Sequence, residues 1–380
     1  MRVVILSKAC IVGTYQKKLE EIARYEDIDL TVLVPPYWRD KRGFQPLERA
    51  HVEGYELRVL PIRLAGSYHL HFYPTLRRHL TELQPDVFHV DEEPYNVATW
   101  LAFRYGVELN IPTLFFTWQN IYRKYPFPFS MFERFVYEHA RFAIAGNEDA
   151  LRVLRRKGYK GPIRVLPQFG VDPEVFAPHP EWRDPERPFT IGYAGGLIHE
   201  KGVDILLRAA AQLSGDWRVH IVGSGKAGKG LRRLARKLGI DHRVRWQERV
   251  PSTEMPRVYH AFDVLVLPSR TRPSWKEQFG RVLIEAMACE IPVVGSTCGE
   301  IPRVIGDAGL IFPEEDVDAL AEHLRHLQED PALRRELARK GRERVLAHFT
   351  HARIAEESVA IYRHLTMGRV SHGPRTMGQG

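Results

Sequence analysis

The chain has 380 residues, 44% of them hydrophobic and 27% charged, with a formal net charge of +8. That length exceeds what a single hydrophobic core normally supports and predicts two domains, and the composition excludes a disordered, collagenous or disulfide-stapled chain. No uncharged apolar run approaches the ~18 residues of a membrane span, and the positive charge favours anionic partners.

The N-terminal MRVVILSKACIVG has only a short apolar run before Lys8 and reads as a first strand, not a signal peptide. From there RVVILS, DLTVLVP, DVFHVD, IPTLFFTW, RFAIAG and PIRVLPQFG read as buried strands. YQKKLEEIARY, PTLRRHLTELQ, VATWLAFRYGV, FERFVYEHA and EDALRVLRRKG read as the helices between them. Apolar strands alternating with amphipathic helices predict an α/β domain, a parallel sheet wound on both faces. Residues 171–188 carry five prolines and many charges, and are expected to form an interdomain linker.

The alternation then restarts with FTIGYAGGL, KGVDILLRAAAQL, WRVHIVGSG, LRRLARKLGI, HRVRWQERV, EMPRVYHAFD, VLVLPS, EQFGRVLIEAMACE and IPVVGST. The expected organisation is therefore a Rossmann-like domain over 1–170, the linker, and a second Rossmann-like domain over 189–350. A helix over 351–366 returns to the first domain, and 367–380 is a flexible tail. Two such domains facing each other would leave a cleft at the C-terminal ends of their strands. The three cysteines, Cys10, Cys289 and Cys298, form no CxxC pair, which fits a reduced, cytoplasmic protein. No recognition-helix, zinc-finger or RNP-like motif is present, so nucleic acid is not an expected partner.

Two glycine turns carry the first functional signal. Gly195 and Gly196 follow one strand and lead through His199 and Glu200 to Lys201 and Gly202; Gly223 and Gly225 follow the next strand and open a helix. Exposed amide groups at a helix N-terminus favour an anion, and a lysine there adds a compact cation. Gly223, Gly225 and Gly228 also fit G-x-G-x-x-G, with Glu248 about 20 residues further on, so an NAD-dependent oxidoreductase stays open. In EQFGRVLIE, Glu277 precedes a helix start at Phe279 and Gly280, while Glu285 sits among apolar neighbours. A carboxylate so placed either pairs with an arginine or accepts hydrogen bonds from a vicinal diol such as a ribose.

EQFGRVLIE followed by AMACEIPVV resembles the E-x7-E signature of retaining nucleotide-sugar glycosyltransferases of the GT-B fold, and more narrowly family 4, the glycosyl transferases group 1. YAGG with EKGVDILLRAA, WRVHIVGSG, AFDVLVLPS and CGEIPRVIGDAGLIFP extend the resemblance through the second domain; in the first it rests on the opening strand, the Gly13 turn and IPTLFFTWQN. It implies that Glu285 holds the nucleotide ribose, Glu277 the donor sugar, and Lys201 the diphosphate, helped by amides near Gly13 and the Phe279–Gly280 helix start. No metal or other cofactor is then required. The resemblance implies an arginine where this chain has Gly196; Arg270 or Arg272 either substitutes for it or is a solvated loop arginine.

The acceptor side is read from Asp91, Glu92 and Glu93 at the end of DVFHV, and from Trp118 and Gln119. A carbohydrate or lipid-linked acceptor for glycolipid or polysaccharide assembly is expected. The stretch from Asn120 to Phe135 interleaves cations with rings, a pattern that suits either core packing or peripheral contact with an anionic membrane at the inner face. A non-catalytic nucleotide-sugar binding module is the remaining alternative.

Overall fold

The computed structural model describes residues 1–40, 43–184 and 186–367. The predicted tail, apart from Met367, lies outside the described residues. The chain divides into two compact units, Met1–Gly170 together with the C-terminal stretch from His351, and Val171–Thr350.

In the first unit the strands are β1 (Arg2–Leu6), β2 (Asp29–Val34), β3 (Tyr37–Asp40), β4 (Gly43–Pro46), β5 (Glu56–Val59), β6 (Val87–Val90), β7 (Thr113–Thr117), β8 (Phe142–Ala145) and β9 (Ile163–Val165). Helices α1 (Lys17–Ala23), α2 (Leu76–Leu83), α3 (Val97–Glu108), α4 (Phe129–His139) and α5 (Glu148–Arg156) connect them. Seven strands form one sheet in the order β5-β2-β1-β6-β7-β8-β9, and its strand pairs are parallel. All four residues of β6 are buried, as befits a strand covered on both faces. The antiparallel hairpin of β3 and β4 stands outside this sheet and was not legible as strands, because its charged and turn-forming residues hide the period of two.

The second unit is built from β10 (Phe189–Ala194), β11 (Trp217–Val222), β12 (Val244–Gln247), β13 (Val264–Leu267), β14 (Val293–Ser296) and β15 (Leu310–Phe312). Its helices are α6 (Val203–Ala210), α7 (Gly228–Lys237), α8 (Met255–His260), α9 (Arg281–Ala288), α10 (Ile301–Ile305), α11 (Val317–Glu329) and α12 (Pro331–His348). The parallel sheet runs β12-β11-β10-β13-β14-β15, so the winding reverses between β10 and β13. Helix α9 is nearly surrounded: Leu283, Ile284 and Met287 are fully buried, and Gly341 brings α12 so close that a Cβ there would lie 3.0 Å from Met287 Cγ.

Residues 171–188 do not form a detached linker. They belong to the second unit, where the Val171 amide donates to Phe349 O, Arg342 donates to Phe176 O, and Arg183 donates to Glu290 O. The prolines break the strand–helix rhythm there without freeing the segment from a surface. The last helix, α13 (His351–Met367), packs in the first unit, burying Ile354, Val359 and Tyr362 beside α1 and β6. Each such apolar side chain contributes about 2 kcal/mol of transfer free energy. Tyr362 Oη lies 2.8 Å from His89 Nδ1, and Arg363 forks onto Asp27. No helix among the described residues is long and apolar enough to cross a membrane.

Candidate functional site

The C-terminal ends of β10 and β11 carry the two glycine turns, and the turns are tied together. The Gly195 amide donates to Val222 O, the Leu197 amide to Ser224 O, and the Ala227 amide to Leu197 O. Gly223 has φ 142°, and a Cβ there would lie 1.9 Å from Gly195 O, so only glycine lets these backbones approach. A Cβ at Gly225 would meet Leu197 O at 2.4 Å, whereas one at Gly196 would enter open space.

Gly195, Gly196, Gly223 and Ser224 line a cavity of about 330 Å³ together with Arg249, Tyr259, Arg281 and Glu285. Glu285 is 6% exposed. Its Oε2 accepts a 2.5 Å hydrogen bond from Tyr259 Oη, and its Oε1 lies 2.9 Å from Arg281 Nε. Burial raises the Glu285 carboxyl above its ordinary range, against the pull of Arg281 and the Tyr259 hydroxyl. Glu285 is thus paired with an arginine, one of the two readings made from sequence, and it also lines the cavity.

Where the winding reverses, the loop leaving β10 meets the loop leaving β13. Lys201 Nζ lies 2.6 Å from Glu277 Oε2, which also accepts from Ser269 Oγ at 2.9 Å, and the Trp275 ring sits 5.3 Å from the same ammonium. Gly202, at φ 65°, lets the lysine turn pass against Pro268, since a Cβ would fall 1.8 Å from Pro268 O. Such a switch point, at the carboxyl ends of the strands, is where open α/β sheets bind ligands.

Several expected site residues take other roles. Arg272 pairs with Glu315 at 2.9 Å. Arg270 is buried against Asp204 and His199. Neither lines the cavity; Arg249 and Arg281 do. The loop arginines are drawn to nearby carboxylates that the sequence spacing does not reveal. Gly280, at φ 82°, starts α9 as expected, but the Phe279 ring is turned into the interior against Phe349. Glu248 is exposed and does not line the cavity, so the acid of a dinucleotide fingerprint is not brought to this turn.

In the first unit the Gly13 amide donates to Glu48 Oε2 at 2.7 Å, so an anion expected there would compete with a carboxylate already in place. The reversal of winding here lies between β1 and β6, and it too is bridged. Ser7 Oγ donates to Asp91 Oδ2 at 2.6 Å, and Lys8 Nζ lies 3.1 Å from Glu92 Oε2. Gln168 joins Asp91 Oδ1 to the Trp118 indole, both at 2.8 Å. Burial would raise the Glu92 carboxyl, but Lys8 and His71 overcome it and hold the group at about 2. Glu93 goes the other way. Its burial outweighs the bonds it accepts from Thr117 Oγ1 and the Trp118 amide and pushes it up to about 7. Gln119 contacts Lys157 Nζ at 3.0 Å and Tyr125 Oη at 3.4 Å. Asp91, Glu92 and Trp118 are thus mutually satisfied, while Glu93 is poised near neutrality. Sequence alone missed Tyr259, Ser269, Arg249 and Arg281; only Arg281, four residues before Glu285 on one helix, left a readable signal.

Comparison with known proteins agrees with this layout. The profile described as glycosyl transferases group 1 matches residues 177–344, and that of the glycosyl transferase 4-like domain matches 12–169. A Mycolicibacterium smegmatis protein named GDP-mannose-dependent alpha-(1-6)-phosphatidylinositol monomannoside mannosyltransferase is 33% identical over 188 residues, 45% of this chain and 49% of that one. A D-inositol 3-phosphate glycosyltransferase of Salinispora tropica is 32% identical over 192 residues, 47% of this chain and 39% of that one. The chain spans half or less of the length of these curated relatives. Among solved structures, sucrose-phosphate synthase from Thermosynechococcus elongatus superposes with TM-score 0.72 at 22% identity, over 97% of this chain and 100% of that one. Anabaena HepE in complex with UDP gives 0.75 at 18%, over 96% and 100%. These likenesses show the fold, two parallel-sheet α/β domains of GT-B type.

Proposed function

The chain belongs to the glycosyl transferases group 1 family, and on that premise we propose that it transfers a sugar, with retention of configuration and without a metal, from a nucleotide-diphosphate donor to a carbohydrate or lipid-linked acceptor. The observation that carries the reading is the 330 Å³ cavity lined by both glycine turns and the buried Glu285. A ribose diol donates to Glu285, taking the place of Arg281 or Tyr259 at the carboxylate, and the glycine-turn amides receive the diphosphate. Lys201 neutralises charge that develops on the departing diphosphate as the bond from the sugar C1 breaks, which is the electrostatic task of this reaction. Glu277, held by Lys201 and Ser269, accepts hydrogen bonds from the donor sugar.

The acceptor falls to the first unit, around Glu93, Trp118 and Gln119. Relatives named for GDP-mannose, phosphatidylinositol mannoside and inositol phosphate support a phosphorylated polyol or glycolipid acceptor, and place GDP-mannose beside UDP-sugars among donors to try. A role at the cytoplasmic face of a membrane in glycolipid or polysaccharide assembly follows from that reading.

The test is incubation with UDP-, GDP- and ADP-sugars while nucleoside diphosphate release is monitored, with the product anomer assigned by NMR. Melting with each nucleotide and with NADH runs in parallel. Stabilisation by UDP or GDP with slow donor hydrolysis is expected. Stabilisation by NADH alone would overturn the reading, and nucleotide binding without turnover of any donor would point to a binding module.

A further inference from the structure

In the first unit an open groove of about 910 Å³ is lined by α4, by the end of α5 with its following turn, and by the loop that carries Tyr122 and Tyr125. Its rim holds Arg123, Lys124, Arg134, Arg156, Lys157 and Lys160, against two acids, Glu133 and Glu138. Glu133 is already neutralised, its Oε1 lying 2.5 Å from Lys157 Nζ. The Arg156 guanidinium is stacked 4.1 Å over the Tyr122 ring, and the Lys157 ammonium lies 4.7 Å from the Tyr125 ring, so two of the cations are held in place by aromatic faces. Lys124, Arg134 and Lys160 are exposed on the same rim. Half of this cluster is invisible in the basic, aromatic stretch from Asn120 to Phe135, because Arg156, Lys157 and Lys160 come from the far end of α5 and its following turn.

We infer that this groove is a binding site for a phosphate-bearing group, a phosphomonoester or phosphodiester, belonging to the acceptor. Cations around a concavity focus their field into it, and guanidinium and ammonium donors match phosphate oxygens. Lys157 links the groove to the acceptor side directly, since the same Nζ that holds Glu133 reaches Gln119 Oε1. A phosphate in the groove therefore anchors an acceptor whose polyol extends toward Gln119 and Trp118 at the end of β7. The inference rests on the transferase reading for the identity of the ligand, but not for the existence of the site.

The experiment titrates the full chain with inorganic phosphate and with an inositol monophosphate by calorimetry or NMR. In parallel it measures sedimentation with phosphatidylglycerol and phosphatidylcholine vesicles, and UDP and GDP binding. Wild type is expected to bind the soluble phosphates at millimolar level or tighter. Arg134→Glu with Lys160→Glu should weaken that by at least about a hundredfold, roughly tenfold for each charge-assisted bond lost. Nucleotide binding should not move, and an unchanged circular dichroism melt excludes misfolding. Binding to anionic vesicles through the same two side chains, with soluble phosphates too weak to measure, keeps the site and makes a lipid headgroup the source of its phosphate. No binding in either arm, or binding that the double variant leaves intact, overturns the inference, whereas loss of nucleotide binding in wild type would instead overturn the donor assignment.

Discussion

Lys201 Nζ and Glu277 Oε2 lie 2.6 Å apart, joining the loops that leave β10 and β13. The first unit repeats the relation between the loops that leave β1 and β6, where Lys8 Nζ lies 3.1 Å from Glu92 Oε2. Each pair spans the point where its sheet reverses winding, because that is where two loops from adjacent strands diverge and leave room for side chains. The surroundings differ. Glu92 is enclosed by His71 and Tyr73 with 2% of its side chain exposed, while Glu277 keeps 10%.

Lys201→Ala should therefore lower turnover by roughly 10²–10³-fold, the effect of removing one donor that stabilises developing charge. Nucleotide affinity should change little, with Glu277 still held by Ser269. Steady-state kcat set against the Kd for UDP or GDP separates the two. A loss confined to Kd would reassign Lys201 to ground-state binding.

Lys8→Met should cost the first unit about 3–5 kcal/mol, since it leaves Glu92 buried without its closest cation. The pH dependence follows from the depressed Glu92 carboxyl. The pairing stabilises the fold fully above the ordinary carboxylate range and is lost as pH falls toward about 2. Urea unfolding at pH 7 and pH 3 should show the variant's deficit shrinking at the lower pH, and Glu92→Gln in the same chain should recover part of it.

Glu285→Gln should weaken nucleotide binding by about tenfold, the loss of one charged acceptor for a ribose hydroxyl. The amide also turns an N–H toward Arg281 or Tyr259. Equal nucleotide affinity in wild type and variant, by calorimetry, would remove Glu285 from the site.

The glycine turns separate conformation from contact. Gly223→Ala should abolish nucleotide binding and lower the melting temperature of the second unit, because its Cβ has no room beside Gly195 O. Gly196→Ala should be within about 0.5 kcal/mol of wild type, as a surface change away from special features. Gly196→Arg should tighten diphosphate binding severalfold, since the open space there accepts a guanidinium side chain beside the glycine-turn amides. Three thermal melts with and without UDP check the order.

Glu93 titrates at about 7, raised from the ordinary carboxylate range. Between those two pH values the folded state binds more protons than the unfolded, so this group lowers stability as pH rises through the window. Glu93→Gln should remove that loss, making the variant more stable than wild type by on the order of 1–2 kcal/mol at pH 8 and equal to it at pH 5. Chemical denaturation at the two pH values is the measurement.

Most of the architecture was legible because buried parallel strands are short apolar runs and their helices keep a 3.6-residue period, so some twenty elements announce themselves locally. The hairpin of β3 and β4 and the three-residue β15 did not, being too polar or too short to show a period. In the same way the E-x7-E spacing and both glycine turns could be read directly. The partner of Arg272 was not legible, because an arginine goes to whichever carboxylate the fold brings near, here Glu315 in the loop after β15.

What the sequence determined by itself is the set of local backbone and periodic constraints: two wound sheets, glycines where turns demand them, and an acid embedded in an apolar helix. What only the tertiary structure decided is partnership. Tyr259 against Glu285, Lys201 against Glu277, Glu48 on the Gly13 amide, and Arg156 over Tyr122 all join residues distant in the chain. The physical reason is that hydrogen bonds and ion pairs act over a few ångströms in space, and no local period encodes which distant loops a sheet will bring within that reach.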